Sequence, residues 1–213
     1  MQSERIIAII LAHNEEKTIG KVVKDTKRYI EDVLVIDDQS NDRTKKFAKN
    51  QGAKVLRRIQ NRGYGAAQRT AHLYAIRNNY NYLVQLDGDG QHNPDYIPKM
   101  LEYAKNKNYD LVIGSRFLKN NAKQYSILRK SGIIFFSKIV NVFGNLDITD
   151  VTSGFKVFRV EKLSTLPRCQ DLHPAIEQML EMKRKRFRIK EIPMQMPLRD
   201  YGESHLNFNK LVL

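Results

Sequence analysis

The chain has 213 residues, 41% of them hydrophobic and 9% aromatic, which is enough apolar material for a packed core and too much for a disordered chain. Its 37 Lys and Arg against 23 Asp and Glu leave a formal net charge of +14, so an anionic partner is expected: phosphate, nucleotide, nucleic acid or an acidic membrane surface. The single cysteine, Cys169, excludes an intramolecular disulfide and a Cys-rich zinc site, and no run approaches the roughly 18 apolar residues of a spanning helix, so an intracellular chain that does not cross a membrane is expected.

Ser3-Glu4-Arg5 precedes only a short apolar run, which reads as a strand and not as a secretory signal. That run, Ile6 to Leu11, is continuous, as in a strand buried on both faces, and Val33–Ile36, Tyr82–Leu86 and Leu111–Gly114 repeat it. A shorter strand is read at Lys54–Leu56. Longer, more polar patterns at Lys17–Ile30, Asp42–Gln51, Gly65–Asn79 and Asp95–Asn106 separate these runs and read as helices. The alternation predicts an α/β fold with a mostly parallel sheet. Beyond Arg116, Tyr125–Leu146 is amphipathic, with Ile133, Phe135, Phe136 and Val140 among Arg129, Lys130 and Lys138. Its chemistry suits an acceptor- or membrane-facing surface and equally a core helix pair. A strand at Gly154–Phe158, a helix from His173 to about Lys185 and a mixed basic stretch, Phe187–Ile192, complete the pattern. With no repeat and no Gly/Ser linker, one domain over residues 1–213 is expected.

Parallel sheets bind ligands beyond the carboxyl ends of their strands. There the chain carries His13-Asn14-Glu15-Glu16, Asp37-Asp38-Gln39-Ser40, Asp87-Gly88-Asp89-Gly90-Gln91 and Ser115-Arg116. Two carboxylates separated by one glycine, Asp87 and Asp89, suit a divalent cation that bridges diphosphate oxygens, and Gln91 adds a neutral oxygen. The alternative is a polar turn. Asp37 suits a base N–H or a ribose hydroxyl, and Asp42 reads as a cap for the following helix. No G-x-G-x-x-G follows the first strand and no P-loop occurs anywhere, which excludes two common nucleotide folds. Asn61-Arg62-Gly63-Tyr64-Gly65-Ala66-Ala67 opens a helix with residues small enough for close packing or for approach to a diphosphate.

In this order, Leu-Ala-His-Asn-Glu-Glu (11–16), Val-Ile-Asp-Asp-Gln-Ser (35–40), the Asn61–Ala67 element, Leu-Asp-Gly-Asp-Gly-Gln-His (86–92) and Thr-Ser-Gly-Phe-Lys (152–156) resemble the family 2 inverting glycosyltransferases. The similarity, over about residues 5 to 205, is to the polyprenyl-phosphate branch that includes dolichol-phosphate mannose synthase. It implies a GT-A fold, with a Rossmann-like, mostly parallel central sheet flanked by helices. It also implies a nucleotide-diphosphate sugar donor and a Mn2+ or Mg2+ cofactor. Leu11, His13, Glu15 and Asp37 would surround base and ribose, and Asp87, Asp89 and Gln91 the metal and diphosphate. Arg116 and Arg199 would meet donor phosphates or sugar, and Arg129 the acceptor phosphate. Two departures stand out: His13 occupies a position usually held by Tyr, and Gly202-Glu203-Ser204-His205 replaces a Gly-x-Ser-Lys motif. His205 is thereby read as a metal ligand, as a protonated partner of the diphosphate, or as an exposed loop residue. Many relatives continue into membrane helices where this sequence stops at Leu213, which implies a shortened sequence or a short form.

The expected reaction is metal-dependent, inverting transfer of a sugar to polyprenyl (dolichyl or undecaprenyl) phosphate at the cytoplasmic face of a membrane, with peripheral contact to its anionic surface. Asp89, Arg116 and Asp150 are the catalytic candidates. Asp150 is a general base if the acceptor is a hydroxyl, and otherwise a hydrogen-bond anchor. The alternatives are a polysaccharide or protein hydroxyl acceptor, or a nucleic-acid binder built on Lys183-Arg184-Lys185-Arg186-Phe187-Arg188. Carboxylates at three strand ends argue against the last, so no nucleic-acid partner is expected.

Overall fold

In the computed structural model, which describes residues 4–118, 134–135, 137–138, 141–142, 146–166 and 174–197, every residue of β1 (Ile6–Ala12) after Ile6 is buried. β2 (Asp32–Asp37), β4 (Tyr82–Asp87) and β5 (Leu111–Ser115) are buried along nearly their whole length, as strands covered on both faces must be. With β3 (Lys54–Arg57), β6 (Lys156–Arg159) and β7 (Ile189–Pro193) they form one seven-stranded sheet in the order β3-β2-β1-β4-β6-β5-β7. All pairings are parallel except those of β6, which runs against both β4 and β5.

Helices α1 (Ile19–Thr26), α2 (Thr44–Asn50) and α4 (Ile97–Asn106) pack on one face of the sheet. There Val22, Val23, Ala48, Met100 and Ala104 meet Ile10, Val35, Val84 and Val157. Helices α3 (Gly63–Arg77), α5 (Val160–Leu163) and α6 (Pro174–Arg184) cover the other, bringing Ala67, Ala71, Ala75, Leu163, Met179 and Met182 against Ile9, Leu34, Leu83 and Phe158. Ala67, Ala71 and Ala75 let α3 pack closely on the sheet, with Gln68 the one long polar side chain buried beside them.

Several boundaries differ from the sequence reading. Strand β6 begins at Lys156, so Gly154 and Phe155 belong to the loop ahead of it. The basic stretch at 187–192 is largely edge strand β7, and the four-residue α5 had no periodic signal to reveal it. Helix α3 starts at Gly63, whose φ of +79° only glycine adopts without strain and whose amide donates to Asn61 Oδ1. Most of Tyr125–Leu146 lies outside the described residues. Within it 134–135, 137–138 and 141–142 are helical, with Phe135 and Val142 largely exposed. Among the described residues no helix is long and apolar enough to cross a membrane.

β1 is flanked by β2 on one side and β4 on the other, so the chain leaves successive strand ends in opposite directions there. A crevice outside the carboxyl ends of β1, β2 and β4 follows from that topology.

Candidate active site

Backbone hydrogen bonds hold the strand-end loops together. The Ala12 carbonyl accepts from the Asp38 amide at 2.9 Å, and the Leu11 carbonyl from the Gly88 amide at 2.8 Å. Side chains complete the seam: the amides of Asn14, Glu15 and Glu16 donate to Ser40 Oγ, Thr44 Oγ1 and Asp42 Oδ2. Asp42 also accepts from the Thr44 amide, but the N-cap of α2 is Arg43, so the helix cap expected of Asp42 is displaced by one residue and its side chain serves the loop seam instead. Thr18 Oγ1 donates to the Gly88 carbonyl at 2.7 Å and ties the third loop to the first. A side chain at Gly88 would press on Ala12 Cβ and the Leu11 carbonyl, so the glycine permits this approach.

On the nucleoside side, Leu11, Glu15 and Asp37 are all buried. Asp37 Oδ1 accepts from the Ser40 amide, but its Oδ2 is buried without a hydrogen-bond partner, with Arg57 Nε 3.8 Å away. A buried acceptor left open costs stability unless something else fills it. His13 Nδ1 lies 2.8 Å from the Asp38 carbonyl, an acceptor, so Nδ1 carries the proton. Asp38 is itself paired with Arg58.

On the diphosphate side, Asp87 Oδ1 is a second buried oxygen without a partner. Burial raises the Asp87 pKa, the His92 imidazole opposes that, and the like charge of Asp89 adds to it. Gly154, from the loop ahead of β6, makes room for this carboxylate: a Cβ there would lie 2.2 Å from Asp87 Oδ2. Asp89 Oδ1 accepts from the Gln91 amide at 3.0 Å, and Gln91 Nε2 donates to the Pro197 carbonyl at 2.8 Å. Among the described residues no group of three or more His, Cys, Asp or Glu side chains forms a cation cage. Two carboxylates, one with an open buried oxygen, nevertheless fit a divalent ion, which Asp87 and Asp89 would hold.

At the end of β5, Arg116 meets Asp150. Its backbone amide and Nε donate to Asp150 Oδ2, and its Nη2 to Asp150 Oδ1 and Thr152 Oγ1. Glu191 on β7 supports the pair from below by accepting from the amides of Thr149 and Asp150. Lys156 is buried, and desolvation lowers its pKa to about 8 against the pull of Asp150 and Asp87.

The structure thus gathers Leu11, His13, Glu15, Asp37, Asp87, Asp89, Gln91, Arg116 and Asp150 around the strand ends. Arg129, Arg199 and His205 lie outside the described residues. Sequence reasoning gave no role to Gln85, Lys156 or Glu191. The available signal was a polar or charged residue interrupting an apolar strand, as in Tyr-Leu-Val-Gln-Leu-Asp and Lys-Val-Phe-Arg.

The family model described as Glycosyl transferase family 2 matches residues 7–166. The chain is 30% identical over 226 residues to a UDP-N-acetylglucosamine–dolichyl-phosphate N-acetylglucosaminyltransferase of Methanococcus voltae, covering 95% of this chain and 89% of that one. It is 27% identical over 215 residues to an undecaprenyl-phosphate mannosyltransferase of Micrococcus luteus, covering 95% and 88%. Among solved structures, glucosyl-3-phosphoglycerate synthase from Mycobacterium tuberculosis in complex with Mn2+ and uridine-diphosphate-glucose superposes with a TM-score of 0.74 at 19% identity, over 98% of this chain and 74% of that one.

Proposed function

The chain belongs to glycosyl transferase family 2, and from that premise we propose that this glycosyltransferase moves a sugar from a nucleoside-diphosphate donor to a polyprenyl phosphate, with inversion at the anomeric carbon. Its mostly parallel seven-stranded sheet is the GT-A fold. In this reading Asp37 accepts a hydrogen bond from the nucleoside, and Asp87 and Asp89 hold a divalent ion. When bound, the ion neutralises charge on the departing diphosphate. Arg116 adds a fixed positive charge at the same end of the cleft. Gln91 and His13 line the site, and the assignments of Arg129 to acceptor phosphate, Arg199 to donor phosphates or sugar, and His205 to the metal or diphosphate are proposals of the same reading.

The observation that carries the choice of acceptor is the Arg116–Asp150 pair. Asp150 is fully buried and both its oxygens are taken by the guanidinium, so it is poorly placed to accept a proton from an incoming hydroxyl. An acceptor phosphate needs no such base, because it is already an anion near neutral pH. One of its oxygens bonds to the anomeric carbon as the bond from that carbon to the diphosphate oxygen breaks, and the nucleoside diphosphate leaves with the electron pair. Catalysis is then positioning and charge neutralisation. The exposed Phe135 and Val142 on the amphipathic segment are consistent with a lipid chain and with work at the cytoplasmic face of a membrane.

The test is transfer of radiolabelled sugar from UDP- and GDP-sugars with Mn2+ or Mg2+, offered undecaprenyl or dolichyl phosphate beside soluble hydroxyl acceptors. Label extracted into organic solvent only when polyprenyl phosphate is present is the expected result. Transfer to the soluble acceptors alone would overturn the reading.

A further inference from the structure

Gln39 lies in the loop after β2 with a φ of +59°, a left-handed conformation that glycine adopts freely and a straight-chain residue does not. Its carboxamide is bound at both ends to the loop between β3 and α3: Nε2 donates to the Ile59 carbonyl at 2.9 Å, and Oε1 accepts from the Asn61 amide at 3.0 Å. A backbone carbonyl only accepts and a backbone amide only donates, so the orientation of the carboxamide is fixed. Bonding to the carbonyl of one residue and the amide two positions on is what a strand does to a parallel neighbour. Gln39 thus does for residues 59–61 what β2 does for β3, which ends at Arg57. Apolar packing does not hold this loop, because Ile59 is 91% exposed and residues 60 to 63 are exposed as well. Arg58, paired with Asp38, anchors its near end.

What the loop carries is Asn61. Asn61 Oδ1 accepts from the Gly63 amide, which turns Nδ2 towards His13, 3.3 Å from each ring nitrogen. An atom equidistant from both nitrogens at this range could lie in the ring plane only by overlapping the carbon between them, so Asn61 Nδ2 sits over one face of the imidazole. The ring edge is held separately. Nδ1 donates to the Asp38 carbonyl, and Nε2 lies 3.2 Å from Asn14 Nδ2, whose partner oxygen is committed to the Asn41 amide.

We infer that Gln39 is a positioning residue for the nucleoside of the donor, acting through Asn61 on His13. The inference rests on the reading of His13 as a residue of the nucleoside site. The clasp keeps Asn61 on one face of the imidazole, which leaves the opposite face as the one a nucleobase can stack against. Without the clasp the exposed loop is ordered only when the nucleotide binds, and that ordering is subtracted from affinity, by about tenfold for a few immobilised side chains.

The experiment measures UDP and GDP affinity of the full chain by calorimetry, with and without Mn2+, for the parent, Gln39→Gly, Asn61→Asp, His13→Ala and the double variant Gln39→Gly/His13→Ala. Glycine adopts the φ of residue 39 without strain, so Gln39→Gly removes the clasp and leaves the turn intact. It is expected to weaken nucleotide binding about tenfold with a melting temperature close to the parent's. Asn61→Asp keeps the oxygen that accepts from Gly63 and replaces the nitrogen over His13, and is expected to match it. In the His13→Ala background Gln39→Gly is expected to change affinity less than about twofold, because the two residues act in series. Parent-like affinity in Gln39→Gly, with or without a lower melting temperature, overturns the role of Gln39 while His13→Ala still weakens binding. A second full loss in the double variant overturns the route through His13, and parent-like binding by Asn61→Asp overturns the part given to Asn61. Parent-like affinity in His13→Ala overturns the nucleoside reading of His13 itself, and a parent that binds neither nucleotide overturns the proposed function.

Discussion

Arg116 and Asp150 meet as a two-pronged pair, Nε to Oδ2 and Nη2 to Oδ1, both at 2.7 Å, with neither side chain more than 8% exposed. Paired guanidinium and carboxylate planes fix direction as well as distance. Glu191 holds the Asp150 backbone in place from β7, and burial raises its own pKa against the hydrogen bonds it accepts. The arginine is thus held by two strands that lie side by side at one end of the sheet.

Asp150→Asn leaves a buried guanidinium without its counter-charge. The expected cost is about 3–5 kcal/mol by urea unfolding, with transfer falling by a larger factor than donor affinity. The pH–rate profile separates positioning from proton transfer. An acid limb present in the parent and absent from the variant would make Asp150 a general base after all.

Gly154→Ala places a methyl group 2.2 Å from Asp87 Oδ2, closer than the two atoms can approach, so the carboxylate must turn away. Metal-dependent nucleotide binding is expected to weaken at least tenfold by calorimetry. Metal-dependent binding equal to the parent would show that Asp87 does not need its present orientation.

Asp37→Asn keeps the hydrogen bond from the Ser40 amide to Oδ1 but turns the open Oδ2 into an NH2 donor. Nucleoside diphosphate affinity is expected to fall roughly 10- to 100-fold, the scale of a charge-assisted hydrogen bond, while Mn2+ binding without nucleotide is retained. Loss of both together would move Asp37 out of the nucleoside subsite.

His72 packs edge-on against Phe158, its Nε2 is buried without a partner, and burial first, then Lys156, lowers its pKa to about 3, while Gln85 opposes the shift. The unfolded chain takes up this proton near pH 6.5, the folded protein only near 3. Between those values the unfolded state binds more protons, so stability falls as pH falls, by up to about 1.4 kcal/mol per pH unit from this group. Urea unfolding of His72→Gln from pH 7 to pH 5 is expected to show a shallower loss than the parent. Equal slopes would assign the acid sensitivity elsewhere.

The buried strands could be read from the chain because β1, β2, β4 and β5 are covered on both faces and so carry unbroken apolar runs. The edge strand β7 lacks that covering: Lys190 and Glu191 interrupt its apolar residues, so a periodic reading found only a basic stretch. The Asp87-Gly88-Asp89 and Asp37-Asp38 loops were legible because their chemistry is local in sequence. The pairing of Arg116 with Asp150 spans 34 positions and that of Gln85 with Tyr64 spans 21. Such contacts depend on strand order and register, which the hydrophobic pattern of one sequence leaves open.

The reversed direction of β6 has a kinetic consequence. β4 and β5 come first along the chain, yet they are not neighbours: β6 slots between them after forty intervening residues and pairs with both. Until it arrives, each of those strands presents an open edge, and closing such long loops is slow. Gly154 reaches Asp87 only through that insertion, so the cradle for the carboxylate and the complete sheet form in one event. During refolding, amides of β4 and β5 that face β6 are expected to gain protection from hydrogen exchange together with the capacity to bind Mn2+, and after the β1–β2 pair has formed. Pulse labelling with manganese present measures both clocks.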